Sequence, residues 1–256
     1  MGDVIALANQ KGGVGKTTTS VNLGACLTDL GKRVLLIDLD PQGNATSGLG
    51  IEKNKIETSV YDVLINDDVD LKDAILPSSH KGLDIVPATI ALSGAEVELT
   101  NLMARETRLK DSFGDTLNQY DFILIDCPPS LGLLTINAFT AANSILIPVQ
   151  SEYYAMEGLS QLLNTIKLVQ KHFNRNLRIE GVLMTMYDRR TNLGQQVNAE
   201  VKKFFGDHVY DTIIPRNVRL SEAPSHGEAI VDYDDRSVGA KVYRQLAKEV
   251  LAKHGK

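Results

Sequence analysis

The segment Asn9-Gln10-Lys11-Gly12-Gly13-Val14-Gly15-Lys16-Thr17-Thr18 combines the residue types that hold a chain of phosphates. It follows a short apolar run, Val4 to Ala8, and opens a helical pattern over Thr17 to Leu30, with Gly31 suited to the position just past the helix end. Glycines let backbone N–H groups turn inward around phosphate oxygens, and the helix N-terminus adds the positive end of its dipole. Lys16 can reach the terminal phosphates and the Thr17 hydroxyl can bind Mg²⁺. The strict G-x-x-x-x-G-K-[ST] pattern would place glycine at position 10, where Gln10 stands, so the loop is a variant with Lys11 at its start. Gly13 and Gly15 followed by Asp38 or Asp40 imitate a dinucleotide fingerprint, but its third glycine would fall at Thr18. Lys16 and Thr17 select a nucleoside triphosphate.

Two further apolar runs end in carboxylates. Leu35-Leu36-Ile37-Asp38-Leu39-Asp40 leads into the Pro41-Gln42-Gly43-Asn44 loop, and Phe122-Ile123-Leu124-Ile125-Asp126 leads into Cys127-Pro128-Pro129. The second is the pattern of a strand that supports Mg²⁺ through its terminal aspartate. The bland alternative for Asp38 and Asp40, the lesser reading, is a helix cap and a turn residue. Of the two, Asp40 is the candidate for positioning the attacking water and for the metal, because it follows its strand at the edge where open α/β sheets bind ligands.

The elements that position these loops read as a single doubly wound, mostly parallel α/β domain over residues 1–256, with helices on both faces. The expected strands are Val4 to Ala8, Val34 to Ile37, Leu83 to Val86, Phe122 to Ile125, Ser144 to Pro148, Gly181 to Met184 and Thr212 to Ile214. Leu159, Leu162, Leu163, Ile166, Val169 and Phe173 form one helical stripe, and Val238, Val242, Leu246 and Val250 another, on a last helix over about Ser237 to His254. That last stripe suits a core better than a membrane, because it lacks a bulky aromatic face.

Composition agrees with a soluble, cytoplasmic protein: 256 residues, 43% hydrophobic, 23% charged, no apolar run of membrane-spanning length, and no visible secretory signal. Cys26 and Cys127 suggest neither a disulfide framework nor a zinc site. The net charge of −5 is unevenly placed. Residues 1–159 carry 11 Lys+Arg against 21 Asp+Glu, net −10, and residues 160–256 carry 16 against 11, net +5, a basic third suited to a polyanion.

The motifs as a set closely resemble the ParA/MinD group of deviant Walker A ATPases, and within it the short chromosomal ParA (Soj) partitioning proteins. The matching segments are Lys11 to Thr18, Asp38 to Asn44, Asp126 to Ser130, Glu152 to Tyr154, Met184 to Asp188 and Ile214 to Pro224. The resemblance implies ATP and Mg²⁺ as ligands and a homodimer closed face to face by ATP, with Lys11 of each subunit reaching the nucleotide of the other. It implies slow hydrolysis stimulated by a ParB-type centromere-binding protein, and non-specific binding of double-stranded DNA on the nucleoid. Pro215, Arg216 and Asn217 would lie by the adenine, beside the phosphate loop Lys11, Gly12, Gly13, Val14, Gly15, Lys16, Thr17 and Thr18. Arg190 and Arg219 match arginines that such proteins use on DNA, and Arg189 beside Arg190 leaves open which of that pair faces it. Only Met1 to Asp3 precede the first strand, so site-specific operator binding is not expected.

Two other functions compete. A membrane-bound regulator of division placement, of the MinD kind, needs a targeting tail, and the chain ends in Ala252-Lys253-His254-Gly255-Lys256. An iron-sulfur reductase needs cysteines that share a cluster at a dimer axis, whereas Cys26 falls inside the first helix and Cys127 follows Asp126.

Overall fold

The computed structural model describes residues 2–151, 155–188 and 190–255, with the backbone alone for 155–157 and 193. Arg189 and the Glu152 to Tyr154 segment lie outside the described residues. In chain order the elements are β1 Asp3–Leu7, α1 Lys16–Asp29, β2 Val34–Asp38, α2 Asn44–Gly48, α3 Val60–Ile65, β3 Leu76–Pro77, β4 Leu83–Val86, α4 Leu92–Leu99, α5 Arg108–Asp111 and β5 Phe122–Asp126. They continue with α6 Leu133–Ala141, β6 Ser144–Gln150, α7 Ala155–His172, β7 Arg178–Tyr187, α8 Asn192–Phe205, β8 Val209–Pro215, α9 Val218–Glu222, α10 Ile230–Tyr233 and α11 Val238–Lys253.

The strands form one sheet in the order β3-β4-β2-β5-β1-β6-β7-β8. All seven expected strands are present and pair in parallel. The eighth, β3, is a two-residue antiparallel edge strand beside β4, too short to register in a periodicity.

Side chains of the central strands alternate between two cores, as the pleat requires. Val4, Ala6, Leu35, Ile37, Ile123 and Ile125 point to the face covered by α3 to α8, and Ile5, Leu7, Val34, Leu36, Phe122 and Leu124 to the face covered by α1, α2 and α9 to α11. Cys26 and Cys127 are buried in these two cores, on opposite faces of the sheet.

Helix ends follow local chemistry. Gly31, at φ 82°, donates its N–H to the Thr28 carbonyl and closes α1, and Ser237 caps α11 by accepting from the Ala240 amide. Two stripes differ from their sequence reading at the ends. Phe173 lies past α7 and is 40% exposed, and Val238 in the first turn of α11 is 55% exposed. The face of α11 that packs inward is Ala240, Tyr243, Leu246, Ala247 and Val250, so small residues and a tyrosine let the helix approach the sheet where strict four-residue spacing of valines does not.

The end of α11 is pinned from below. His254 lies between two carboxylates, Nδ1 3.0 Å from Asp3 and Nε2 3.1 Å from Glu180, and Glu180 also accepts from the Ser144 hydroxyl at 2.8 Å. Hydrogen bonding to Glu180 raises the His254 pKa above its ordinary value. The hydrogen bonds from His254 and Ser144 lower that of Glu180 against the opposing effect of burial.

Candidate active site

The loop between β1 and α1 is fixed from three sides. Asn9 donates to the Pro148 carbonyl at 2.7 Å and accepts from the Lys11 amide at 3.0 Å, while Thr185 of β7 donates to the Val14 carbonyl at 2.8 Å. Gly13 and Gly15 adopt φ of 72° and 85°, a region that a side chain disfavours, and a Cβ at Gly12 or Gly13 would meet open space. The loop thus leaves one side free for a ligand. Gly12, Gly13, Gly15, Lys16, Thr17, Thr18, Asp40, Gln42, Asn44, Pro129 and Met186 line a cavity of about 310 Å³ there. Lys11 and Val14 are not in its wall. Val14 is buried behind the loop, and the Lys11 carbonyl accepts from the Lys16 ammonium at 3.3 Å. Burial lowers the Lys16 pKa, and Asp126 opposes that shift.

The three carboxylates separate by role. Asp38 is fully buried and turned away from the cavity: its Oδ2 accepts the Thr46 amide at 2.8 Å and the Thr46 hydroxyl at 2.7 Å, fastening α2. Asp40 stands in the cavity wall, where its Oδ1 accepts from the Gln42 amide at 2.9 Å. Asp38 thus secures the first turn of α2, whose N-cap is Gly43, Asp40 shapes the turn before it, and only Asp40 lies in the cavity wall. Asp126 lies level with Asp38 across β2 and β5 and sits behind Thr17, accepting from the Thr17 hydroxyl at 2.6 Å and the Ser20 hydroxyl at 3.0 Å. Burial raises the pKa of both, with the charge of Asp40 adding to the rise at Asp38 and that of Asp38 to the rise at Asp126, while their hydrogen-bond donors act in the opposite direction. A hydroxyl with carboxylates beside and behind it is a hard-oxygen donor set that fits Mg²⁺.

A second cavity of about 260 Å³ continues from the first, sharing Gly15, Thr18 and Met186. Pro215, Arg216 and Asn217 are in its wall, with Ile214, Leu220 and Tyr243. The phosphate loop and the Pro215–Asn217 loop, two hundred residues apart, thus flank one continuous space. Met186 and Tyr243 are among its lining residues that sequence reading did not name. Met186 holds φ of 49°, unusual for a side-chain-bearing residue, and joins the two cavities at a shift in the β7–β8 register. Tyr243 is a buried tyrosine of the last helix, with its hydroxyl 3.2 Å from that of Thr19. The only hint of Met186 was its place in the Met184 to Asp188 motif, and no local pattern pointed to Tyr243.

A groove lined by Tyr187, Asp188, Arg190, Pro215, Arg216 and Val238, among others, adjoins the second cavity. Arg190 is 88% exposed and bonds both oxygens of Asp188, at 3.0 and 2.8 Å, which holds the Asp188 pKa down to about 2. Arg219 meets Glu222 at 2.9 Å and Asp234 at 3.5 Å.

A parallel sheet with a glycine-rich loop, Lys-Thr and a strand-end aspartate on its carboxyl edge defines a P-loop nucleoside triphosphatase. A family model described as an AAA domain matches residues 2–179. The sporulation initiation inhibitor protein Soj of Bacillus subtilis (strain 168) is 67% identical over 252 residues, 98% of this chain and 99% of that protein. The chromosome-partitioning ATPase Soj of Treponema pallidum (strain Nichols) is 50% identical over 255 residues, 100% of this chain and 99% of that protein. Among solved structures, cobyrinic acid a,c-diamide synthase from Mycobacterium smegmatis with bound ATP analog and magnesium superposes with a TM-score of 0.86 at 39% identity, covering 100% of this chain and 98% of that one. The chain belongs to the ParA/Soj family of chromosome-partitioning ATPases.

Proposed function

We propose that the chain is a DNA-segregation ATPase, one domain over residues 1–256, which closes as a homodimer around ATP and in that form holds double-stranded DNA without sequence preference on the nucleoid. A ParB-type centromere-binding protein then stimulates a slow hydrolysis that releases it. The observation that carries the reading is the shared wall: Pro215 and Arg216 line both the cavity that continues from the phosphate loop and the groove that holds Arg190. A nucleotide on one side of that wall and a polyanion on the other would contact the same loop.

Lys16 binds the β- and γ-phosphates, and Thr17, oriented by its hydrogen bond to Asp126, holds the metal. Mg²⁺ held there would supply charge neutralisation to the phosphates. Asp40 positions the attacking water from the cavity wall and adds to the metal's donor set. Lys11, whose place is outside that wall, serves the nucleotide of the partner subunit. Pro215, Arg216 and Asn217 border the base. Arg190 and Arg219, with Arg189 as the alternative within its pair, contact DNA phosphates once drawn from their carboxylate partners.

The inward-packed face of α11 supports the DNA reading over a MinD-like membrane one, and no described helix is long and apolar enough to cross a membrane. The test is light scattering and DNA binding without nucleotide, with ADP, and with ATP, each with Mg²⁺ and with a parallel arm of anionic vesicles. A dimer that binds DNA with ATP alone is expected. A protein that remains monomeric with ATP, or that sediments with vesicles and not with DNA, refutes the proposal.

A further inference from the structure

The turn that carries Asp40 is held from two directions, and only the inner anchor belongs to the site described above. On the inside, Asp38 fastens Thr46 and the start of α2. On the outside, the exposed Lys53 reaches back from the short 3₁₀ turn Lys53–Lys55 and donates its ammonium to the Gln42 carbonyl at 2.6 Å. The Lys53 stem crosses directly over Gly43. A Cβ there would stand 2.7 Å from the Lys53 Cε and 2.9 Å from its Nζ and would push the end of the lysine aside, and Gly43 has φ of 59°, which a side chain disfavours.

The peptide that Lys53 grips is the one that matters to Asp40. Its carbonyl, on Gln42, accepts from Lys53, and its N–H, on Gly43, donates to the Asp40 carbonyl at 2.8 Å. The Gln42 amide, one peptide earlier, donates to the Asp40 carboxylate. Rotating the Gln42–Gly43 peptide would break the bond to Lys53 and the bond to the Asp40 main chain together. Gln42 and Asn44 stand beside Asp40 in the wall of the phosphate cavity, whereas Lys53 does not.

We propose that Lys53 is a positioning residue for ATP hydrolysis, which fixes the Asp40–Gly43 turn from outside so that the Asp40 carboxylate faces the phosphates. It acts through the Gln42 carbonyl and not on the nucleotide. The inference rests on Asp40 as the group that positions the attacking water.

The test uses the full chain with ATP and Mg²⁺, reads phosphate release against ATP concentration, and compares Lys53→Met, Lys53→Arg and Asp40→Ala. Methionine keeps the stem over Gly43 and removes the ammonium; arginine restores a charged donor. Lys53→Met is expected to lower kcat roughly tenfold, less than the ~100-fold that a 1 Å misplacement can cost, with KM for ATP unchanged within about a factor of two. Its thermal midpoint should match the parent's, and Lys53→Arg should recover most of the rate. Parental kcat in Lys53→Met, a raised KM with unchanged kcat, or a loss that arginine does not repair each overturns the proposal. Asp40→Ala separates the two layers. If it is inactive while Lys53→Met is fully active, Lys53 alone is misassigned; if Asp40→Ala turns over at the parent rate, the assignment beneath falls and the proposal with it.

Discussion

At Thr46 the usual rule that burying a more apolar side chain stabilises a core should reverse. The residue is fully buried, and its hydroxyl donates to Asp38 at 2.7 Å while accepting from the Ala88 amide at 2.9 Å, which ties the ends of β2 and β4 to the start of α2. Thr46→Val has nearly the same shape and creates no cavity. It removes one hydrogen bond to a buried carboxylate, about 1.5–3 kcal/mol, and strands one buried backbone N–H, about 1–3 kcal/mol more. The expected loss is about 2.5–6 kcal/mol. Thr46→Ser keeps both bonds and forfeits one methyl, about 1 kcal/mol. Urea unfolding checks the order through the shift in midpoint at constant slope. A Thr46→Val protein within about 1 kcal/mol of the parent, or more stable than Thr46→Ser, would refute the assignment of the Asp38–Thr46–Ala88 linkage as a structural anchor.

Lys16→Ala should abolish ATP turnover and any ATP-dependent DNA binding, checked by phosphate release and by DNA retention with and without ATP. The Arg190→Ala and Arg219→Ala variants should each flatten the slope of log DNA affinity against log salt by about 1.8 for a symmetric dimer losing two phosphate contacts, and equally for unrelated sequences. Unchanged slopes would mean that the pairs with Asp188 and Glu222 are all that these arginines do. His254→Gln should cost about 3 kcal/mol, because it leaves Asp3 and Glu180 without their shared cation. The folded-state pKa of His254 is raised, so its stabilisation is full below its ordinary value near 6.5 and fades as pH rises through the folded value, and unfolding curves of the variant should lack that decline. The Glu180 contribution runs the other way, fading as pH falls below the ordinary glutamate range.

The phosphate loop was readable because its requirements are contiguous: glycines, Lys16 and Thr17 follow one strand and open one helix. The seven parallel strands were readable for the same reason, as each is a short apolar run bounded by turns. What escaped was set by register and by distance along the chain. Nothing near Asp38 indicates that it lies level with Asp126, or that Thr46, a polar residue in a five-residue helix, is its buried partner. Tyr243 reached the second cavity only because α11 packs on α1. His254, which reads as a polar tail residue, is buried because the chain's end returns beneath β1 and β7, where Asp3 and Glu180 wait.

The strand order has an electrical consequence. Starting from β1, the chain builds β2 to β5 on one side and β6 to β8 on the other, so β7, β8 and α8 come from the basic portion of the sequence, net +5, and β1 to β6 from the acidic one, net −10, with α10 returning from the basic portion to meet His80. The surplus of cationic sequence thus falls toward the β7–β8 side. Near a polyanion such an asymmetry would act as a torque, turning the β7–β8 edge inward before any side chain made contact. Eight strands spaced about 4.8 Å apart separate the two edges by roughly 34 Å, whereas the Debye length at physiological salt is about 8 Å. Added salt should therefore erase the orientation of approach while short-range contacts formed after arrival persist.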